Sequence, residues 1–297
     1  MLAQPEILAF FDEPTNTVTY LVADPATGAA AVIDSVLDFD QAAARIGSVS
    51  VEAVLAAASA RGWRIEMVLE THAHADHLSG AKLIAARTGA WIGIGVHITE
   101  VQATFAPMFG AEDLLPEAGD FDRLLHDGEV VPLGNLAFTV MHTPGHTAAC
   151  ISFRIADAVF VGDTLFMPDY GTARCDFPGG DAHALYRSIR RLLALPDETR
   201  LFLCHDYKGP GRTEFAWETT VGEQRRANVQ AHDGIDEAAF VALRQARDAT
   251  LAPPRLLLPS IQVNIRAGRF PPADAAGVRA LRLPLRASDA GAATLLS

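Results

Sequence analysis

The ligand-type side chains of this chain follow its apolar runs, and this order limits the folds that it can adopt. Four motifs come directly after runs that read as buried strands: THAHADH at 71–77, HTPGHT at 142–147, GDTLF at 162–166 and CHDY at 204–207. Loops that leave strands lying in register meet at one edge of a sheet, where functional residues commonly lie. Between the runs, apolar residues three and four positions apart predict helices. The pattern therefore predicts a layered α/β fold with one polar site at a sheet edge.

Strands and helices alternate in the first half of the chain, and strands dominate after residue 129. The predicted strands cover 17–22, 30–34, 65–70, 129–133, 136–141, 149–155, 158–162 and 201–204. The predicted helices cover 51–61, 81–88, 182–194 and 237–248, the first two with Ser50 and Ser79 as N-caps. We predict a catalytic domain at 1–250 and a Pro-rich tail at 251–297, whose apolar, strand-like stretches pack on it.

The densest motif, THAHADH, has the chemistry of a metal site. Neutral imidazole and carboxylate groups are ligands for zinc or iron. His72 and His74 stand two positions apart, so an extended backbone turns both to the same side. Asp76 and His77 follow where the chain turns, and they can face a second position. This spacing can serve two adjacent metals, or one metal with the remaining groups around it.

Composition excludes several classes of function. The 297 residues carry a formal net charge of −12, which disfavours binding to a nucleic-acid backbone. No run of about 18 apolar residues predicts a membrane span, and the N-terminus lacks the basic start of a secretory signal. Three cysteines, Cys150, Cys175 and Cys204, have no paired spacing. We therefore expect a reducing compartment, the cytoplasm, and passive thiols.

Taken together, the four motifs resemble the T-H-x-H-x-D-H signature and the later ligand motifs of the metallo-β-lactamase superfamily, in the same order, over about residues 15–210. The resemblance implies an αβ/βα sandwich of two mixed β-sheets flanked by helices, with the metal site at one edge. In HTPGHT the family's ligand is the second histidine. The implied metal ligands are His72, His74, Asp76, His77, His146, Asp163 and His205.

The segment MPDYGTARCDFPGG and the tail LLLPSIQVNIRAG resemble the persulfide (sulfur) dioxygenase branch, in particular its bacterial β-lactamase-like hydrolase subgroup. Two positions depart from it: Ala173-Arg174-Cys175-Asp176-Phe177 replaces the usual Gly-Arg-Thr-Asp-Phe, and Cys204 stands where glycine is common. The resemblance implies one Fe(II) per chain held by His72, His146 and Asp163, with zinc as an alternative metal. The implied reaction oxidises glutathione persulfide, or a related persulfide, with O2 to sulfite and thiol.

The same resemblance implies roles for residues around the metal. Asp76, His77, Tyr207 and Asp176 are implied at the catalytic site, with Tyr207 and Asp176 bracing it. Because glutathione is anionic and the chain is acidic, a local basic patch is needed to bind its carboxylates. The candidates are Arg174, Lys208, Arg212, Arg266 and Arg269.

The sequence leaves one alternative function open. A binuclear zinc or iron hydrolase of the glyoxalase II type would use Asp163 as a bridge and cleave a thioester. Against it, no segment clearly matches the extra C-terminal helical domain with which glyoxalase II binds glutathione. The expected partners are a small thiol persulfide and O2, without nucleic acid or membrane, and a homodimer stays open.

Overall fold

Two six-stranded β-sheets carry the four motifs in the computed structural model, which describes residues 4–285 and 287. The end of the predicted tail, 288–297, lies outside the described residues. In chain order the strands are β1 (Glu6–Asp12), β2 (Thr17–Ala23), β3 (Ala29–Ile33), β4 (Val36–Leu37), β5 (Phe39–Asp40), β6 (Arg45–Ile46), β7 (Arg64–Leu69), β8 (Leu78–Ser79), β9 (Trp91–Gly95), β10 (Arg123–Leu125), β11 (Val130–Leu133), β12 (Leu136–His142), β13 (Ile151–Ile155), β14 (Ala158–Phe160), β15 (Arg200–Phe202) and β16 (Glu218–Thr220). The helices are α1 (Val49–Ala60), α2 (Ala81–Thr88), α3 (Ile98–Phe109), α4 (Ala182–Leu192), α5 (Val221–Ala227), α6 (Glu237–Asp248) and α7 (Leu257–Asn264).

Each large sheet is mixed and is built from a contiguous half of the chain. The first has the order β1-β2-β3-β7-β9-β10, antiparallel from β1 to β3 and parallel from β3 to β10. The second has the order β11-β12-β13-β14-β15-β16, in which only the pair β14–β15 is parallel. Two small hairpin-like pairs, β4–β8 and β5–β6, stand beside them.

The two sheets pack face to face, and strand β2 is buried on both of its sides. Successive side chains of a strand point to opposite faces. Val18 and Tyr20 lie in the hydrophobic cluster between the sheets, with Phe138 and Phe153 of the second sheet. Leu21 faces the other way, into a cluster covered by helices. Since both faces are buried, all seven residues of β2 are buried, and the hydroxyl of Thr19 is satisfied by donation to Asp34 O at 2.9 Å.

Helices cover both outer faces and complete four layers. Buried residues of α1, α2, α3 and α7 pack on the first sheet, and those of α4 and α6 pack on the second. The predicted αβ/βα sandwich of two mixed sheets flanked by helices is therefore confirmed. No helix among the described residues is long and apolar enough to cross a membrane.

Several local predictions were wrong for identifiable reasons. The apolar stretch of the tail is the helix α7 rather than strand-like. Helix α1 begins at Val49 after Ser48, and Ser50 instead donates its hydroxyl to Asp38 Oδ1 at 2.7 Å. Helix α2 begins after Gly80, so Ser79 lies one position before the N-cap; its hydroxyl donates to Glu70 Oε1 at 2.6 Å and accepts from Ala81 N at 3.0 Å. The strands β1, β9, β10 and β16 and the helices α3 and α5 were not predicted.

The tail is part of the body that surrounds the site. Ile261 and Val263 of α7 lie in the same hydrophobic cluster as Ala73 and Ala75 of the THAHADH loop. The division at residue 250 stays a prediction, but no break in the core separates α7 from the residues before it.

Candidate metal centre

The C-terminal ends of β7, β12, β14 and β15 meet, and their loops bring the four motifs together. A first group consists of His72, His146 and Asp163, whose ligand atoms all lie within 4.8 Å of one another. The Oδ2 atom of Asp163 lies 4.0 Å from His72 Nε2 and 3.7 Å from His146 Nε2. These three are the residues that the dioxygenase resemblance implies as iron ligands.

A second group lies on the other side of the same aspartate. His205 Nε2 is 3.3 Å from Asp163 Oδ1 and 3.3 Å from Asp76 Oδ2. The rings of His74 and His77 lie beside each other with centroids 4.2 Å apart, and the centroid of each is 6.4 Å from that of His205. One carboxylate oxygen of Asp163 therefore faces each group, and all seven residues predicted as ligands are brought together.

The ring nitrogens that face the centre have no hydrogen-bond partner among the described residues. Buried polar atoms are normally satisfied, so a cluster of unsatisfied acceptors is the expected signature of a metal site. The opposite nitrogen of each histidine is held by a neighbour, which fixes the ring and leaves a lone pair on the inner side. The buried unsatisfied atoms are His72 Nε2, His74 Nδ1, His77 Nε2, His205 Nε2 and Asp163 Oδ1. The holding contacts are Thr71 Oγ1 to His72 Nδ1 at 2.9 Å, Asp34 Oδ1 to His74 Nε2 at 3.0 Å, Leu78 O to His77 Nδ1 at 3.1 Å, Arg174 O to His146 Nδ1 at 2.8 Å and Asn16 O to His205 Nδ1 at 3.1 Å. The donor set fits a bound metal.

Electrostatics differ between the histidines. Burial lowers the pKa of His72 well below its usual value and lowers that of His77 to about 3. Both rings are therefore neutral and able to act as ligands. Burial opposes the charge on His74 as well, but Asp34 and Glu70 raise its pKa well above the usual value. At His74, a metal must displace a proton to bind.

Two glycines let the loops approach this closely. Gly145 of HTPGHT has φ +144°, and a Cβ there would lie 2.3 Å from the backbone Cα of Leu185 in α4. Gly162 has φ +53°, and a Cβ there would lie 2.6 Å from Thr71 Oγ1. Each glycine directly precedes a predicted ligand, His146 or Asp163, so a side chain at either position would displace that ligand.

A cavity of about 300 Å³ opens onto the centre. Asp76, His146 and Asp163 form part of its floor. Its walls carry aromatic and arginine side chains, namely Phe166, Tyr170, Phe177, Tyr207, Arg174, Arg244, Arg247 and Arg255. The cavity has the size and the mixture of apolar walls and few polar groups that are typical of small-molecule sites.

Two of the residues that the dioxygenase resemblance implies at the site, Tyr207 and Arg174, do line this cavity. Tyr207 lines it, and its ring stacks on His205 with centroids 5.7 Å apart. Arg174 also lines it, but its guanidinium is engaged by both carboxylate oxygens of Asp176, at 2.6 and 2.7 Å, and by Ala252 O at 2.7 Å. Arg174 and Asp176 therefore form a brace across the cavity wall, which leaves Arg174 few free donors.

The structure does not bring the other predicted cations to the cavity. Lys208 lies over the ring of Phe215, 3.9 Å from its centroid. Arg212 is paired with Asp169 and Asp206. Arg266 is 2% exposed and, like Arg269, is paired with Asp113. Substrate-binding roles for these residues do not fit their placement, because nearby carboxylates already neutralise the arginines and the lysine points elsewhere.

Two arginines at the cavity were missed. Arg247 and Arg255 are exposed at its rim, and neither guanidinium makes an ion pair or hydrogen bond within the part of the chain that the structure describes. Arg244, in contrast, is buried and paired with Asp248. No motif includes Arg247 or Arg255. In the sequence they are two basic residues on either side of Pro253-Pro254.

The cysteines near the centre are neutral thiols. Burial raises the pKa of Cys175 to about 12. Burial also raises the pKa of Cys204 well above its usual value, with its Sγ 3.6 Å from Asp34 Oδ2. Neither thiol has the exposed, electropositive setting of a nucleophile.

Comparison with known proteins agrees with this geometry. The family model described as Metallo-beta-lactamase superfamily matches residues 12–205, and the chain belongs to that superfamily. It is 50% identical over 289 residues to the "Probable metallo-hydrolase" of Burkholderia pseudomallei, covering 94% of this chain and 98% of that protein. It is 42% identical over 290 residues to "Glyoxylase B2" of Dictyostelium discoideum, covering 96% and 98%. Among solved structures, ETHE1 from Myxococcus xanthus is similar with a TM-score of 0.72 and 30% identity, covering 89% of this chain and 100% of that one.

Proposed function

We propose that this protein is a non-haem iron persulfide dioxygenase, with one Fe(II) per chain held by His72, His146 and Asp163. The observation that carries the proposal is the contact between Arg174 O and His146 Nδ1 at 2.8 Å. Through it, the segment that distinguishes the dioxygenase branch in sequence orients one of the three proposed iron ligands. The similarity to the ETHE1 structure supports the same branch.

The protein's own residues would bind the substrate and shape its approach. Two histidines and one carboxylate leave open positions on a bound Fe(II), which supplies redox chemistry with dioxygen. Phe166 and Phe177 line the cavity and keep water from its floor. The overall reaction consumes one persulfide, one O2 and one water, and it yields one thiol and one sulfite.

The free arginines at the rim favour an anionic thiol carrier. Arg247 and Arg255 are available for carboxylates, whereas Arg174 and Arg244 are committed to Asp176 and Asp248. A guanidinium presents paired donors that match a carboxylate. Glutathione persulfide, with its terminal sulfur toward the floor and its carboxylates toward the rim, suits this distribution of charge.

A binuclear hydrolase is the second candidate, and a specific observation favours it. A second set of possible metal-ligand atoms faces the centre. It consists of Asp163 Oδ1 and the unsatisfied Nε2 atoms of His77 and His205. In addition, helix α6 and the segment after it line the cavity, so a C-terminal helical wall is present although the sequence showed no clear equivalent. The similarity to Glyoxylase B2 supports a thioester as the substrate of such a centre.

Metal content and two activity assays separate the candidates. Protein purified without added metal is analysed for iron and zinc, and then tested for O2 uptake with glutathione persulfide and for cleavage of S-lactoylglutathione. The dioxygenase predicts about one iron per chain and persulfide-dependent O2 uptake. Two metals per chain with rapid thioester cleavage and no O2 uptake would overturn it.

Two ligand variants sharpen the result. His72→Ala should abolish iron binding and O2 uptake, whereas His77→Ala should retain most of the iron if one metal is held by the first group. Equal loss of metal in both variants would support the binuclear centre instead. His183→Ala is the control, because His183 is exposed and paired with Glu237 away from the cavity.

A further inference from the structure

Asn264, the last residue of α7, reaches under the THAHADH loop. Its amide nitrogen donates to His74 O and to His77 O, each at 2.8 Å, and its Oδ1 accepts from Ser79 N at 2.8 Å. The side chain is 4% exposed. Both amide protons are therefore used on the carbonyls of two predicted ligands, and the oxygen holds the start of the strand that follows.

The bonded carbonyls bracket the turn that carries Asp76. The loop from 72 to 77 is irregular, so sheet hydrogen bonds do not satisfy its buried backbone groups. Leaving two buried carbonyls without donors would cost free energy, and the turn would have to shift to find new ones. The side chains of His74, Asp76 and His77 depend on the course of this turn for their position.

The helix that presents Asn264 is fixed by its own packing. Ile261 and Val263 are buried against the same cluster as Ala73 and Leu78. A metal site requires its ligands to be held within about 0.5 Å of the productive geometry. A rigid helix end with a fully bonded amide meets this requirement better than a loop that is held only by its own ends.

We infer that Asn264 is a positioning residue for the metal centre, which sets the geometry of the His74–Asp76–His77 turn from the C-terminal helix. The inference rests on the proposed metal centre. His72 is the ligand of this loop that both candidate functions share, and it lies two residues before the bonded His74 carbonyl, so a shift of the loop backbone moves His72 as well. It also places α7 within the unit needed for metal binding, beyond the boundary predicted at residue 250.

The same helix offers a matched control. Gln262 is also a buried amide on α7, at 1% exposure, and it also makes three hydrogen bonds. Its partners are Leu258 O and the backbone N–H and C=O of Arg282, so it fastens the tail and has no hydrogen bond to the THAHADH loop. Because each variant loses three hydrogen bonds of a buried amide, Asn264→Leu and Gln262→Leu should lower the stability of the protein to a similar extent.

The test compares metal affinity and metal geometry in these variants. Apo-protein is titrated with Zn2+ against a chromophoric chelator, and with Co2+ while the visible absorption of the bound ion is recorded. Asn264→Leu should weaken Zn2+ binding about tenfold to 100-fold and change the Co2+ spectrum. Gln262→Leu should lower Tm to a similar extent and leave both metal readouts at the wild-type value.

Each remaining outcome decides the question. If Asn264→Leu binds Zn2+ within twofold of wild type with an unchanged Co2+ spectrum, Asn264 has only a structural role and the inference is overturned. If that variant does not fold, Asn264→Asp replaces it, because a carboxylate can accept from Ser79 N but cannot donate to the two carbonyls. Failure of the wild-type protein to bind Zn2+ or Co2+ would instead overturn the proposed metal centre itself.

Discussion

Replacing Asp34 by asparagine is expected to weaken metal binding about 100-fold, although Asp34 faces away from the metal position. Its Oδ1 accepts from Thr71 N at 2.8 Å and from His74 Nε2 at 3.0 Å. Its Oδ2 accepts from Thr71 Oγ1 at 2.9 Å. Since the Thr71 hydroxyl gives its proton to Asp34, it accepts from His72 Nδ1, and this leaves the His72 Nε2 lone pair facing the centre.

An asparagine amide reverses this order of donors. With its NH2 group at the Oδ2 position, it donates to the Thr71 hydroxyl, which must then donate to His72 Nδ1. The proton of His72 moves to Nε2 and blocks the ligand nitrogen. With the amide in the other orientation, the NH2 group opposes the Nε2–H of His74 and the N–H of Thr71. Either orientation disturbs one predicted ligand.

The magnitude follows from the number of ligands affected. Loss of one outer hydrogen-bond partner of a metal ligand typically costs 10–100-fold in affinity. Asp34 serves two histidines, His72 through Thr71 and His74 directly, and in either orientation the amide opposes the proton of one of them rather than only losing a bond, so the upper end applies. A factor of about 100 corresponds to about 2.8 kcal/mol of binding free energy.

The assay is a Zn2+ titration of the apo-protein against a chelator, with Tm measured in parallel. Asp38→Asn is the control, because Asp38 holds Ser50 at the start of α1 and has no contact with the ligands. If folded Asp34→Asn binds Zn2+ within threefold of the wild-type affinity, the direction of the hydrogen bonds from His72 to Thr71 and from Thr71 to Asp34 is refuted.

Three further predictions concern other parts of the molecule. Gly145→Ala should lower the free energy of unfolding by about 3 kcal/mol, because its Cβ would meet the α4 backbone; chemical denaturation measures this. Arg247→Ala and Arg255→Ala should each raise KM for glutathione persulfide about tenfold with little change in kcat, and a change in kcat alone would contradict carboxylate binding. Arg266 lowers the pKa of Asp113 to about 2, so this carboxylate contributes stability that is present above about pH 4 and is lost as the pH falls toward 2. Asp113→Asn should remove that part of an acid-denaturation curve.

The convergence of the ligands could be predicted from the sequence, because it depends on local spacing. Each motif follows a strand, and strands in register bring their ends together. What the sequence could not show is which nitrogen of each ring faces the metal. That depends on partners far along the chain, such as Asp34, 40 residues before His74, and Asn264, 190 residues after it.

Two of the missed helices, α3 and α7, contain a proline, a residue that in sequence is typical of a loop. Pro259 lies in the first turn of α7, where its missing N–H would have no intrahelical partner in any case. Pro107 lies in the last turn of α3. Both prolines are compatible with a helix at these positions, although the same residues in isolation are typical of a loop.

The placement of the predicted cationic residues away from the cavity has a related reason. An arginine near a motif pairs with the carboxylate that the fold brings to it, and sequence distance does not reveal that carboxylate. Asp113 meets Arg266 across 153 positions. The arginines left free at the cavity, Arg247 and Arg255, lie in a segment without any motif.

The division of the site between two contiguous half-chains has a consequence for its assembly during synthesis. The first sheet ends at Leu125, and the chain up to that point contains four of the seven predicted metal ligands, those of THAHADH. His146, Asp163 and His205 emerge later with the second sheet, and the clamp at Asn264 emerges later still. A metal that meets the growing chain early therefore finds an incomplete set of donors. The full set forms only when most of the polypeptide has left the ribosome and the two sheets have packed together.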